Sequence, residues 1–381
     1  MTKRILFISG TRADFGKIKP LIKSVQDSDA FKYGVFVTGM HLMSRYGLTV
    51  NEIKKSGFDQ IHTYINQIPG EDMESILANT ITGLSRYLHE HQYDLIVVHG
   101  DRVEALAGAT VGALRNILVA HIEGGEVSGT IDELMRHAIT KMSHIHFVGS
   151  DTARKRLVQL GENPTSIFTI GSPDIDVMLS DSLPDINDAK KRYDIQFDNF
   201  SIAMLHPVTT LPELQAQHAN IFVDSLIKSD LNYIVIYPNN DAGSENILQA
   251  YKRLEGRANF RVFPSLRFEY FLALLKKSKF IIGNSSAGIH EAPVYSVPTV
   301  NVGERQHNRI KHSSVYNVDF KEVDILEAIS SLPATKNSPP LFHYGNGDSA
   351  AKFMEALGDD GLWTRSRQKY FQDIEFDNDK R

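Results

Sequence analysis

Along its whole length the chain alternates short runs rich in apolar and β-branched residues, each ending in glycine or a polar cluster, with stretches of helical periodicity. Nothing else in the sequence constrains the fold as strongly, because strands that are each followed by a helical crossover pair in parallel rather than in hairpins. In the first half, strands are predicted over 4–9, 32–38, 94–99, 118–121 and 145–148, and helices over 16–26, 73–89 and 105–115. A more polar stretch over 180–199 separates this series from a second, with strands over 201–205, 233–237, 260–263, 280–282 and 299–302. The expected fold class is therefore α/β with two doubly wound halves. Ligands of such sheets sit beyond the carboxyl ends of the strands, so chemistry is sought in the residues just after each strand.

Length and composition agree with this reading and remove several alternatives. A chain of 381 residues suits two domains. Forty-one Lys and Arg against 46 Asp and Glu give a net charge of −5, which argues against a nucleic-acid partner. The absence of cysteine excludes disulfides, cysteine zinc sites, iron–sulfur clusters and a thiolate nucleophile. The N-terminal apolar run covers only 5–8, too short for a secretory signal, and no run approaches the ~18 residues of a spanning helix. A cytoplasmic protein with no membrane partner is expected.

The first predicted strand runs into Gly10-Thr11-Arg12-Ala13-Asp14-Phe15-Gly16-Lys17, a turn that sets an arginine and backbone N–H groups at a helix N-terminus, where anions bind. It is not a Walker A loop, since five residues separate the glycines and Ile18 stands where Ser or Thr would hold magnesium. An ordinary βα turn with a surface arginine is the alternative for this segment alone. The strand 94–99 ends in His99-Gly100-Asp101-Arg102, and the next leads to Glu123-Gly124-Gly125-Glu126 and on to Asp132. Adjacent strands thus deliver Asp101, Glu123 and Asp132 to one rim. Asp132 also fits as a first-turn acid complementing its helix dipole, but clustered carboxylates with separated pKa values are what acid/base work on a sugar requires. Arg102 beside them offers a fork for phosphate. His144 and His146 share a strand face, yet without HExxH or a third spaced ligand no metal site is expected.

In the second half, His206-Pro207-Val208-Thr209-Thr210 and Pro238-Asn239-Asn240-Asp241 follow strands. The segment Gly283-Asn284-Ser285-Ser286-Ala287-Gly288 reads as a small-residue turn entering a helix. Ser285, Ser286 and Gly288 would then offer hydroxyls and N–H groups to a diphosphate under the helix dipole, a plain helix cap being the alternative. Glu291 would lie one or two turns into that helix, placed to accept hydrogen bonds from a ribose diol.

Taken in order, GTRADFGKIKP, HGDR, HIEGGEVSGTID followed by Arg136 and His137, LHPVTT, YPNNDAG, FPSLRFEYF, GNSSAGIHEAP and the segment 303–308 form one set. From the first strand to about residue 310 this set strongly resembles the hydrolysing UDP-N-acetylglucosamine 2-epimerases of nonulosonic (sialic) acid biosynthesis, with weaker matches beyond, such as Tyr344-Gly345-Asn346-Gly347. GTRADFGK stands where the non-hydrolysing epimerases are expected to carry GTRPEAIK, and EGGEVSGTID also favours the hydrolysing branch. The resemblance implies a GT-B-like fold of two Rossmann-type domains with the ligand cleft between them. Residues 1–175 would carry the carboxylates and 176–361 would bind UDP, while a last helix over 362–381 packs back on the first domain. It implies no metal and no nicotinamide cofactor. A homodimer acting on a small-molecule substrate is the expected assembly. By motif matching, Arg12, Arg102, His206, Asn239, Ser285, Ser286 and Glu291 fall on UDP-binding positions, and Asp101, Glu123 and Asp132 on the catalytic carboxylates.

The activity so implied is the conversion of UDP-GlcNAc and water to N-acetylmannosamine (ManNAc) and UDP, through elimination to 2-acetamidoglucal and hydration, with Glu123 the expected base. Homologues acting on UDP-2,4-diacetamido-2,4,6-trideoxyglucose in legionaminic acid synthesis share nearly every motif. Gln67-Ile68-Pro69-Gly70-Glu71 looks more like the sialic acid branch. A GT-B glycosyltransferase would share the fold and the UDP cleft but requires an acceptor, and an idle nucleotide-sugar sensor would have no use for the carboxylates.

Overall fold

The computed structural model describes residues 2–128, 131–306, 311–336 and 338–373. Within them the chain forms two parallel sheets. The first is seven-stranded: β1 (Lys3–Ser9), β2 (Phe31–Val37), β3 (Ile61–Thr63), β4 (Leu95–His99), β5 (Leu118–Ile122), β6 (Ile145–Val148) and β7 (Ile167–Thr169), in the order β3-β2-β1-β4-β5-β6-β7. The second is six-stranded: β8 (Ser201–Met204), β9 (Tyr233–Ile236), β10 (Phe260–Phe263), β11 (Ile281–Gly283), β12 (Thr299–Val302) and β13 (Val315–Val318), in the order β10-β9-β8-β11-β12-β13. All ten predicted strands are present to within a residue or so at each end. β3, β7 and β13 were not predicted, and each forms an edge of its sheet, where a strand of three or four residues needs no long apolar run.

The central strands are buried on both faces, as parallel strands flanked by helices are. Along β1, Ile5 and Phe7 pack to one side and Leu6 and Ile8 to the other, and β4 alternates likewise with Leu95 and Val97 against Ile96 and Val98. In each sheet the chain builds outward from a first strand and then returns to its other side, so the order reverses between β1 and β4 and again between β8 and β11. A crevice opens at such a reversal. The loops after these four strands are the ones that begin at Gly10, Gly100, Leu205 and Asn284.

The helix after β1 starts at Arg12, four residues before its predicted start, because Thr11 and Asp14 form a capping box at its N-terminus. No helix is long and apolar enough among the described residues to cross a membrane. The chain returns to the first sheet earlier than the sequence suggested. Helix Ser349–Gly358 and the turn Asp360–Trp363 put Phe353, Ala356, Leu357 and Leu362 into the first sheet's core. Of the expected helix 362–381, residues 364–373 are not helical and 374–381 lie outside the described residues. The non-helical tail is instead fixed by side chains: Arg365 Nη1 donates to Ser166 Oγ at 2.8 Å, and Lys369 Nζ to Ser143 O at 2.6 Å.

The chain passes between the two cores twice, and the passages touch. Ile170 belongs to the first core and Ile175 to the second, while Tyr344 belongs to the second and Phe353 to the first. Ser172 N donates to Tyr344 O at 2.6 Å. Gly171 and Gly345, at φ +86° and +117°, approach so closely that a Cβ on Gly345 would stand 3.0 Å from Gly171 Cα. The Asp176 carboxylate accepts from Ser349 N and Ala350 N at 3.0 and 2.8 Å, tying the start of the returning helix to the other passage.

Candidate active site

A cleft of about 310 Å³ lies between the sheets, lined from both by the loops at the two strand-order reversals. Asp101, Glu123, Asp132, Arg12, Arg102, His206, Asn239, Ser285, Ser286 and Glu291 all line it. The expected residues therefore meet in one place, although they are spread over nearly 300 positions and two sheets.

Glu123 follows β5 and adopts the left-handed backbone region at φ +64°, a conformation that costs a non-glycine residue energy and that surrounding structure must hold in place. Its Oε1 accepts a hydrogen bond from Ser172 Oγ. Its Oε2 lies 3.3 Å from His99 Nε2 and 4.0 Å from Lys17 Nζ. Lys17 is a hub, with Asp174 Oδ2 at 3.2 Å and Glu291 Oε1 at 3.4 Å. Burial alone would raise the Glu123 carboxyl, but Lys17 and His99 outweigh it and hold the group well below the usual carboxylate range. The same buried acids hold Lys17 well above the usual lysine value against the effect of burial. Glu291 moves the other way. Burial raises it, Lys17 lowers it less, and repulsion from Asp174 and Glu123 leaves it raised.

Elsewhere along the cleft Asp101 accepts from Arg136 Nη2, and Asp132 accepts from Arg305 Nη2 at 2.8 Å. Asp132 occupies the first turn of helix Ile131–Met142, as expected. Its carboxyl is raised by burial, which Arg305 offsets in part and which repulsion from Asp101 and Asp241 reinforces. Glu123 and Asp132 are thus pushed apart in acidity. Arg102 is turned toward the second sheet, donating from Nη2 to Asn240 Oδ1 at 2.6 Å and lying 3.4 Å from Asp241.

His206 Nδ1 accepts from Asn239 N at 3.1 Å, and burial lowers the imidazole to about 3, so the ring is neutral and its proton sits on Nε2. Asn284, fully buried, clamps this loop by accepting from His206 N at 2.7 Å and donating to His206 O at 2.9 Å. One local expectation needs correction. The turn after β11 does not enter an α-helix: Ser286–Gly288 and Ala292–Tyr295 are single 3₁₀ turns, with Glu291 between them, so no helix dipole acts there. In the first loop, part of the backbone is already engaged. Asp14 Oδ2 accepts from Gly10 N at 2.9 Å and Thr11 N at 3.0 Å, leaving Arg12 as that loop's charge toward the cleft, with Glu52 at 3.8 Å.

Sequence reasoning did not assign Lys17, His99, Arg136, Arg305, Ser172 or Asp174 to the site. Lys17 carried one readable signal, a lysine on the buried face of an amphipathic helix among Phe15, Ile18 and Leu21. His144 and His146 serve the first sheet: His144 Nδ1 accepts from Val119 N at 3.1 Å, and His146 Nε2 lies 2.9 Å from the buried Glu162 carboxylate.

A family model for UDP-N-acetylglucosamine 2-epimerase matches residues 23–358. A UDP-N-acetylglucosamine 2-epimerase of Neisseria meningitidis serogroup B is 46% identical over 375 residues, which is 98% of this chain and 99% of that one. A UDP-N,N'-diacetylbacillosamine 2-epimerase (hydrolyzing) of Legionella pneumophila is 31% identical over 365 residues, 94% of this chain and 96% of that one. Among solved structures, UDP-GlcNAc 2-epimerase from Neisseria meningitidis bound to UDP-GlcNAc aligns with a TM-score of 0.78 over 93% of this chain and 99% of that one, at 18% identity. The GT-B-like pair of parallel α/β units is the fold they share.

Proposed function

We propose that this chain, which belongs to the UDP-N-acetylglucosamine 2-epimerase family, is a hydrolysing member that turns UDP-GlcNAc and water into ManNAc and UDP, the opening step of sialic acid synthesis. The observation that carries the reading is the convergence of Asp101, Glu123 and Asp132 with Arg12, Arg102 and His206 on one cleft. The higher identity to the UDP-N-acetylglucosamine enzyme than to the diacetylbacillosamine enzyme favours UDP-GlcNAc as substrate. GTRADFGK at the first loop favours hydrolysis.

The proton on C2 of the sugar is barely acidic until the bond from C1 to the diphosphate oxygen has begun to break. Arg12, Arg102 and the Nε2–H of His206, with the hydroxyls of Ser285 and Ser286, take up the charge that develops on the departing UDP, a preorganised electrostatic role. Asn239 fixes the imidazole through its N–H. Glu291 accepts from the ribose, its buried Oε2 having no hydrogen-bond partner in the protein. Asp101, paired with Arg136, stabilises positive charge at C1. Glu123, held ionised, takes the C2 proton to give 2-acetamidoglucal. Asp132, whose raised carboxyl retains a proton more readily, gives one to the opposite face of C2 as a water oxygen bonds to C1 and loses a proton to solvent, from which Asp132 is reprotonated. No metal or cofactor enters this scheme.

The same reading divides the chain near residue 175 and puts the protein in the cytoplasm. It also makes the protein a homodimer, supported by the exposed apolar Leu114 and Leu134 on neighbouring helices and checked by sedimentation. Incubation with UDP-GlcNAc alone should release UDP and ManNAc, with deuterium at C2 when the solvent is D₂O. UDP-ManNAc as the product would remove the hydrolysing assignment. Faster UDP release from the diacetamido trideoxy sugar would move the chain to the legionaminic branch, and turnover that needs an acceptor would make it a transferase.

A further inference from the structure

The first passage between the cores carries two polar side chains that local structure does not use. Ser172 is the N-cap of the short helix Pro173–Met178 but makes no capping hydrogen bond. Thr11 and Ser150, in the same position on their helices, do make one. The Ser172 hydroxyl is spent on Glu123 Oε1 instead, while its own N–H is held by Tyr344 O. Asp174, in the first turn of the same helix, is fully buried and faces Lys17 rather than solvent.

Resting on the function proposed above, we infer that Ser172 and Asp174 are positioning residues for the reaction: Ser172 fixes the rotamer of the Glu123 carboxylate, and Asp174 holds Lys17 beside it. One oxygen of Glu123 is thereby anchored by the passage, and the other is left facing His99 and Lys17. Because Ser172 is bonded to the second passage through Tyr344 O, the orientation of the base depends on the two passages staying in contact. The charged and titratable groups around Glu123 are Lys17 from the first helix, His99 from the end of β4, Asp174 from the passage, and Glu291 and His290 from the turn after β11. Ser172 donates to the ionised carboxylate, so losing it disfavours that form. Asp174 holds Lys17, the cation that most favours that form, so neutralising Asp174 disfavours it as well.

The test measures UDP release from UDP-GlcNAc across pH, with UDP affinity by calorimetry. Ser172→Ala should lower kcat by about ten-fold or more, within the ~10²-fold that misplacing a reacting group costs, while KM and UDP affinity stay as in the wild type. The acid limb of its kcat/KM profile should move to higher pH, and so should that of Asp174→Asn. Ser172→Thr, which keeps the hydroxyl, should restore most of kcat and the wild-type profile. Unmoved acid limbs in both alanine and asparagine variants, or a threonine variant as slow as alanine, would overturn the inference. A wild-type chain that releases no UDP removes the function itself and this inference with it. A working wild type with unchanged Ser172→Ala removes the inference alone.

Discussion

Glu123 keeps a strained backbone, with Lys17, His99 and the Ser172 hydroxyl around its carboxylate, an arrangement that folding alone does not call for. Glu123→Gln preserves its shape and removes its charge, so the variant should bind UDP normally while turnover falls by ~10²-fold or more. Calorimetry beside an assay of UDP release checks this, and wild-type release by the variant would shift proton removal to Asp101 or Asp132. A second buried acid serves stability. Burial raises Glu162, but a hydrogen bond from His146 and the charges of Lys369 and Lys141 outweigh it and bring the group down to about 2. With the folded value below the ordinary 4.5, ionised Glu162 stabilises the protein above that range, and the stabilisation is lost as pH falls from 4.5 towards about 2. Linkage puts it at about 3 kcal/mol. Denaturant melts of wild type and Glu162→Gln should therefore differ near neutral pH and converge in acid, and a gap that stays constant would sink the assignment. At this scale the sequence disclosed Asp101, Glu123, Arg12 and Arg102 because each stands just after a strand, and Asp132 because it opens the helix that follows the Glu123 loop. It did not disclose Ser172, Asp174 or Arg305, whose partners lie 49, 157 and 173 residues away.

Among the elements, the interior strands were legible because burial on both faces writes a continuous apolar run, whereas edge strands such as Ile61–Thr63 leave only three half-buried or exposed residues to read. The returning helix was misplaced for a related reason. Phe353 and Leu357 look like any amphipathic pair until Phe7 and Phe147, from distant strands, supply the rings they pack on, at 6.4 and 4.8 Å from Phe353. Phe353→Ala should destabilise the protein by about 3–5 kcal/mol, as emptying a well-packed aromatic site does, which thermal unfolding will show. Gly16 makes the opposite kind of contact. A Cβ there would stand 2.6 Å from the Phe268 side chain of the second unit, so the first helix sits against the far side of the cleft only because that position has no side chain. Gly16→Val should hold the units apart and weaken UDP binding with little loss of thermal stability. UDP affinity equal to the wild type would mean that the helix and Phe268 separate without consequence.

Across the whole molecule the cleft is spanned by ion pairs: Lys19 with Glu269 at 2.5 Å, Arg45 with Glu245 at 2.5 Å, Lys17 with Glu291 and Arg305 with Asp132. The exposed Arg45 pair is the most open to screening, and the buried ones the least. X-ray scattering should show a modest increase in radius of gyration as salt rises in the absence of UDP, and none when UDP bridges the same surfaces. A salt-independent radius in both states would mean that packing, not charge, keeps the cleft shut. The two passages between the cores, bonded side by side at Ser172 and Tyr344, set how such opening can proceed. A body joined to another by one strand can swing and twist in any direction, but one joined by two adjacent strands has a single easy axis, the line along which they lie. Any opening that the scattering experiment reports should therefore turn about that line. Rising salt should release the exposed pair of Arg45 with Glu245 before the buried pair of Lys17 with Glu291.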